Sequence, residues 1–255
     1  MSDPVVLITG ALTGIGRATA VAYARQGANL VVSGRHTDAG EQLVRELTDL
    51  GATTEFVRAD VRFDAEVKEL VDRAVTRFGR LDVAVNNAGT EGTNSPVTEV
   101  TDERYQATFD TNVKGTLFCL KHQFRVMREQ GSGSIVNVSS CFGLMGYPET
   151  ALYAGSKHAV AGITKAAALE GATLGVRVNA VAPGFIRTAM YERFTGDDTA
   201  RTAFDAVLPM HRPGTPDEIA EAIRFLGSDG ASYVTGHILL IDGGLMAGGP
   251  LLPST

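Results

Sequence analysis

Short apolar runs alternate with longer amphipathic stretches along the 255 residues of this chain. Val5–Thr9, Leu30–Ser33, Glu55–Val57, Leu81–Val85, Ile135–Ser139, Arg177–Val181 and Ile238–Ile241 have the length of strands. Several are apolar nearly throughout, as strands covered on both faces must be. Between them, Ile15–Gln26, Ala39–Leu50, Ala65–Phe78, Asp102–Glu129, Ala151–Leu174 and Pro216–Leu226 carry apolar residues at helical spacing. Strand and helix in turn predict an α/β fold: a doubly wound parallel sheet flanked by helices on both faces.

Helix starts agree with this reading. Thr215-Pro216-Asp217-Glu218 is a capping box with proline at the first helical position. Thr101-Asp102-Glu103 sets acids in a first turn, where the helix dipole favours them. No repeat, low-complexity block or linker divides the chain, so residues 1–255 are expected to form a single domain. Residues 187–213 alone break the alternation, and one or two short helices and a substrate flap are expected there. The tail from Gly248 to Thr255 is expected to be loose or packed on a partner subunit.

The first strand runs into Thr9-Gly10-Ala11-Leu12-Thr13-Gly14-Ile15-Gly16. Glycines let the backbone turn tightly and let a pyrophosphate reach the N–H groups and positive dipole end of the next helix. The spacing is G-x-x-x-G-x-G rather than the commoner G-x-G-x-x-G, and a glycine trio alone also suits a plain tight turn. Its place between a first strand and an amphipathic helix favours a Rossmann-like dinucleotide site. About 20 residues on, an acid ending the second strand would bind the ribose diol of NAD. The chain offers Ser33-Gly34-Arg35-His36 instead. Glycine leaves room and Arg35 brings charge for a 2′-phosphate, so NADP is expected. NAD is the alternative, with Arg35 then a plain exposed turn residue.

Tyr153 and Lys157 follow the run Ser134–Ser140 and stand one helical turn apart, on one face. An ammonium beside a phenol favours the phenolate. A free tyrosine titrates near pH ~10, and bringing it to about 7 takes roughly 4 kcal/mol of preferential stabilisation. A phenol so tuned can trade a proton with an alcohol or carbonyl oxygen while hydride moves between that carbon and a nicotinamide.

Composition narrows the field. A net charge of −6 disfavours a nucleic-acid surface or a basic membrane patch. No apolar stretch reaches ~18 residues, so no membrane span is expected. Met1-Ser2-Asp3-Pro4 has no basic region before an apolar run, so no secretory signal is expected. Cys119 and Cys141 have no zinc-like spacing, and the five histidines form no HxxxH or HExxH pair. No metal site is expected, and a reducing, cytoplasmic setting fits.

In order along the chain come Thr9–Gly16, Asp60-Val61, Asn86-Asn87-Ala88-Gly89, Asn112, Ser139-Ser140, Tyr153 with Lys157, Pro183-Gly184 with Thr188, and Asp242-Gly243-Gly244. With this ordered set the sequence resembles the short-chain dehydrogenase/reductase family, in its single-domain branch, over nearly the whole chain. Leu12 departs from the pattern, standing where small or polar residues are frequent, and a slight change in the phosphate turn is expected. The resemblance implies roles. Tyr153 would be the acid/base, and Lys157 would lower its pKa and hold the nicotinamide ribose. Ser140 would hold the substrate oxygen, with Ser139 structural. Asn112 would hold a water linking Lys157 to solvent. Gly10, Thr13, Gly14, Ile15 and Gly16 would form the cofactor turn. Asp60 and Val61 would contact adenine, and Asn86, Ala88 and Gly89 would line the adenosine side. Ile186 and Thr188 would contact the carboxamide and phosphates, with Pro183 and Gly184 part of the same cofactor site. Equivalent helices in the family pack across subunit interfaces, so a homo-oligomer, commonly a tetramer, is implied.

Cys141–Thr150 and Phe185–Arg212 are the segments expected to face substrate. Phe142, Leu144, Met145, Tyr147, Met190, Tyr191, Phe194, Phe204, Val207, Leu208 and Met210 favour a small, fairly apolar ketone or secondary alcohol, although the same residues suit packing of the flap equally well. Three other readings stay open. One is an NAD-dependent dehydrogenase of sugars or cyclic alcohols. Another is a reductase of 3-oxoacyl thioesters on a carrier protein, which calls for a basic patch; Glu192, Asp197 and Asp198 interrupt the candidates Arg187, Arg193, Arg201 and Arg212. The last is a cofactor-binding regulator without turnover, against which the set Asn112, Ser140, Tyr153 and Lys157 argues.

Overall fold

The computed structural model describes residues 3–248. Seven parallel strands form one sheet in the order β3-β2-β1-β4-β5-β6-β7. They are β1 (Val5–Ile8), β2 (Asn29–Gly34), β3 (Thr54–Arg58), β4 (Val83–Asn86), β5 (Gly133–Val138), β6 (Val176–Pro183) and β7 (Ile238–Ile241). The helices are α1 (Gly14–Ala24), α2 (Thr37–Asp49), α3 (Asp64–Phe78), α4 (Asp102–Phe109), α5 (Gly115–Gln130), α6 (Ala151–Ala172), α7 (Ala189–Thr195), α8 (Asp198–Val207) and α9 (Pro216–Gly227). The doubly wound α/β fold expected from the pattern is the fold found. Of the tail Gly248–Thr255, only Gly248 lies within the described residues.

Strand side chains alternate between two cores, as the pleat demands. Val6, Ile8, Leu30, Val32, Val83, Val85, Val136 and Val181 enter one core, with Tyr23 of α1, Leu43 and Leu47 of α2, and Ile219, Ile223 and Leu226 of α9. Leu7, Val31, Ala84, Ile135 and Val178 enter the other, with Leu70 and Val71 of α3, Leu120 and Met127 of α5, and Ala167 and Ala168 of α6. Each fully buried leucine, isoleucine or valine contributes about 1.5–3 kcal/mol. Burial on both faces accounts for the apolar runs of β1 and β2, whereas the edge strand β3 is only partly buried and carries Thr54, Glu55 and Arg58. Thr215 and Glu218 form the expected reciprocal capping box at α9. Among the described residues, no helix is long and apolar enough to cross a membrane.

The expected single helix Asp102–Glu129 is broken. Between α4 and α5, Asp110–Lys114 winds as a π-helical turn. Side chains impose the break: the Asn112 amide is tied to the Thr90 backbone and to Ser156, and the Thr116 hydroxyl bonds back to the Asn112 carbonyl at 2.7 Å. Such turns cost regular hydrogen bonding and concentrate at functional sites. The strand order reverses between β1 and β4, and their carboxyl ends open the crevice where this topology binds ligands.

Candidate active site

The glycine turn follows β1 at that crevice. Gly10 and Gly14 hold φ of 63° and 55°, a region that favours glycine. A Cβ at Gly10 would lie 2.8 Å from Ala88 Cα, and one at Gly16 would lie 2.4 Å from the Gly10 carbonyl oxygen. Asn87 stitches the turn to β4. Its amide donates to the carbonyls of Thr9 (3.1 Å) and Gly10 (2.9 Å), while the Thr9 hydroxyl accepts from the Asn87 and Ala88 N–H groups. Thr13, at the N-cap of α1, makes no side-chain cap, and no acid stands in the first turn. The first N–H groups of α1, around Ile15, are therefore left for an external anion. Thr188 closes over the turn, with its Cγ2 3.3 Å from where a Gly14 Cβ would be. A cradle that any side chain would fill, above an uncapped helix start, fits a dinucleotide pyrophosphate.

Farther along the crevice the ends of β2 and β3 meet. A Cβ at Gly34 would lie 2.6 Å from Leu12. The room expected at Gly34 is thus taken by the unexpected leucine, and each residue explains the other. Arg35 is exposed beside it and lowers the pKa of Asp60 by its charge, though the larger cause is Arg62. Arg62 grips the nearly buried Asp60 carboxylate through Nε at 3.0 Å and Nη2 at 2.6 Å. Val61 packs on Gly115, where a Cβ would lie 2.7 Å from its Cγ2. The Asn86 side chain turns inward, bonded to Gln123 and Asn137. Its amide is therefore engaged in the interior rather than free to line the adenosine side as expected.

Tyr153 and Lys157 lie on α6, one turn apart, with Lys157 Nζ 5.7 Å from the centre of the Tyr153 ring. Lys157 is 5% exposed and donates to the Val138 carbonyl at the end of β5 (2.8 Å). Ser139 donates to the Lys157 carbonyl at 3.0 Å, anchoring α6 to β5. Ser140 caps the turn Cys141–Gly143 by accepting from the Phe142 N–H, and its side chain acts to lower the Tyr153 pKa. A Cβ at Gly89 would lie 3.3 Å from Asn112 Oδ1 and 3.5 Å from Lys157 Nζ, so Asn112, Lys157 and the loop after β4 converge. Electrostatics correct one expectation. Lysine was expected to lower the Tyr153 pKa, but burial pushes the phenol up to about 12, against the Ser140 side chain that lowers it. Burial also pushes the Lys157 ammonium down to about 8. Desolvation is the largest cause for each group.

Pro183 and Gly184 end β6 against Asp242, where a Gly184 Cβ would lie 2.7 Å from Asp242 Cα. Ile186 bridges Gly214, and Arg187 N and Gly214 N complete the pinch, so residues 187–213 leave and return at one point. The apolar residues expected to face substrate divide. Phe142, Met145, Phe185 and Phe194 gather around Tyr153. Tyr191 and Leu208 are buried, while Val207 and Met210 turn outward. Phe185 meets Phe204 edge-on at 4.6 Å, and Tyr147 stacks on Phe142 at 5.3 Å. Glu91 and Arg193 form an ion pair between the loop after β4 and α7. Asn87, Arg62 and Glu91 were not singled out as site residues, and Arg193 was named only as a candidate for a basic patch. Asn87 had a signal, as the second half of an asparagine pair closing a strand; Arg62 and Glu91 had none.

The family described as "Enoyl-(Acyl carrier protein) reductase" matches residues 10–246. The chain is 39% identical to 2,5-dichloro-2,5-cyclohexadiene-1,4-diol dehydrogenase of Sphingobium indicum, covering 97% of this chain and 98% of that one. Among solved structures, levodione reductase superposes with a TM-score of 0.93 at 38% identity, over 97% of this chain and 99% of that one. ElxO with NADP bound superposes with a TM-score of 0.91 at 34% identity, over 97% and 100%. The chain belongs to the short-chain dehydrogenase/reductase family. As a member it is an NAD(P)-dependent oxidoreductase of alcohol and carbonyl carbons. The relatives of this short-chain dehydrogenase/reductase are named for cyclic alcohols, a steroid and 3-oxoacyl groups on a carrier protein, so membership does not fix its substrate.

Proposed function

We propose that the protein transfers hydride between NADP(H) and a small, fairly apolar ketone or secondary alcohol, with Tyr153 as general acid/base. One observation carries the reading: Ser140, Tyr153 and Lys157 share one wall of the crevice that begins at the glycine turn, and Asn112 meets Lys157 across Gly89. In this reading the chain works as a single domain, with residues 187–213 as a flap over the substrate.

Bound nicotinamide would supply or accept the hydride. The chain supplies the rest. Gly10–Gly16 and the start of α1 bind the pyrophosphate, and Lys157 holds the ribose. Near neutral pH the Tyr153 phenol keeps its proton, the form that donates to the oxygen of a ketone under reduction. Ser140 donates to the same oxygen, where negative charge grows. In the reverse direction Lys157, beside the charge that an oxidised nicotinamide would bring, would ease loss of the Tyr153 proton. Phe142, Phe185 and Phe194 form the apolar side of the chamber and displace water from it.

Arg35, exposed where an acid would select NAD, supports NADP, and so does the NADP-bound relative ElxO. Leu12 over Gly34 favours the second reading, an NAD-linked dehydrogenase of cyclic alcohols, because it narrows the space for a phosphate. The cyclic diol named for the Sphingobium relative fits either cofactor. Against a carrier-protein substrate, Arg193, Arg201 and Arg212 are each paired with a carboxylate. The outer faces of α5 and α6 carry Leu117 and Leu169 exposed, which supports a homo-oligomer; the state proposed is a tetramer in the cytoplasm. A coupled absorbance screen of ketones and alcohols with both cofactors tests the reading. Turnover of small cyclic or aliphatic carbonyls with NADPH preferred is expected; activity confined to highly charged compounds, or a clear NADH preference, would contradict it.

A further inference from the structure

The sheet, α6 and the loop after β4 form one side of the reaction chamber, and residues 187–213 form the other. One ion pair joins the two sides. Glu91 Oε1 takes both Nε (2.7 Å) and Nη2 (2.6 Å) of Arg193, across 102 residues of sequence. Glu91 stands two residues beyond Gly89, beside the Thr90 backbone that Asn112 clamps at both N–H and C=O. It lines the narrow polar cleft that includes Asn94, Glu149 and Tyr153. Its charge also reaches the Tyr153 phenol. Arg193 sits on α7, whose N-cap Thr188 leans on the glycine turn and whose Phe194 packs in the Tyr153 cluster.

The rest of this excursion is lightly held. Tyr191 is the one buried residue of α7, and α8 has none. Partly exposed ion pairs add little to overall stability. A pair of that kind, set between one side of a chamber and the loop beside the reacting phenol, acts on the local position of the lightly held side. We propose that Glu91 and Arg193 are positioning residues: their ion pair is the clasp that holds the flap helix α7 over substrate at Tyr153. The clasp rests on the functional reading above for its substrate, but not for the contact itself.

Hydrogen exchange with mass-spectrometric readout, on the full NADPH-loaded chain, tests the clasp without any turnover. Glu91→Gln and Arg193→Gln are each expected to speed exchange in α7 and α8 by about two- to fivefold, the scale of a surface ion pair, with the sheet unchanged. The swapped variant Glu91→Arg with Arg193→Glu is expected to slow it again. With a substrate in hand, KM is expected to rise by a like factor while NADPH affinity holds. Unchanged exchange in both single variants would overturn the proposal. So would faster exchange spread evenly over sheet and helices, or a swap as loose as the singles. Local loosening of α7 together with no activity on any carbonyl would end the functional reading and leave the clasp standing.

Discussion

On the Tyr153 side, directional bonds fix nearly every group: Lys157 to Val138, Ser139 to the Lys157 carbonyl, Asn112 to Thr90 and Ser156, Asn87 to Thr9 and Gly10. On the facing side, α7 and α8 rest on edge-on and tilted aromatic contacts among Phe185, Phe194 and Phe204 and on the Glu91–Arg193 ion pair to the loop after β4. Hydrogen bonds to backbone lock angles as well as distances, whereas aromatic contacts tolerate sliding. The contrast teaches where the chain invests precision. Proton transfer needs preset geometry, while a pocket that accepts a class of apolar molecules needs surface it can repack.

Variants on the rigid side should cost most. Short of removing the phenol itself, Ser140→Ala is expected to lower kcat about 10²- to 10³-fold, as loss of a hydrogen-bond donor to a developing oxyanion does. Steady-state kinetics beside a thermal melt check it; a fall under tenfold would mean that Ser140 serves its turn at Cys141–Gly143 rather than the reaction. Gly10→Ala meets both a positive φ and the Ala88 backbone. About 1–2 kcal/mol of strain and at least about tenfold weaker NADPH binding by fluorescence titration are expected.

Arg35→Ala touches a solvent-facing group. It is expected to cut the NADPH-to-NADH ratio of kcat/KM about tenfold or more, the scale of a charge-assisted hydrogen bond. An unaltered ratio would hand the cofactor to the NAD reading. A pH-linked effect concerns Lys157. Its folded pKa of about 8 lies below the unfolded 10.5, so between these values the unfolded chain holds a proton the folded chain has lost. Wild-type stability should therefore gain on that of Lys157→Met as pH rises from 8 toward 10.5. A pH-independent difference between the two melts would show that burial does not depress this lysine.

Much of this was readable from sequence where the cause is local. The strands matched within a few residues because two-sided burial writes itself as apolar runs. The spacing of Tyr153 and Lys157 on one helix needs only the helical period. What escaped depends on residues distant in sequence. The π turn at Asp110–Lys114 exists because Thr90 and Ser156 hold Asn112. Asn87 works through Thr9, 78 residues away. The Tyr153 phenol was expected to fall in pKa and instead rises, because four-residue spacing displays a neighbouring charge and hides the loss of water around both groups.

The central claim is that a fixed phenol on α6 passes the proton while NADPH passes the hydride. NADPH oxidation with a small cyclic ketone, followed for wild type and Tyr153→Phe with cofactor affinity measured on both, addresses it directly. The account predicts that the variant binds NADPH as tightly as wild type and loses turnover by about 10²- to 10⁴-fold. Turnover at the wild-type rate without the hydroxyl would contradict it.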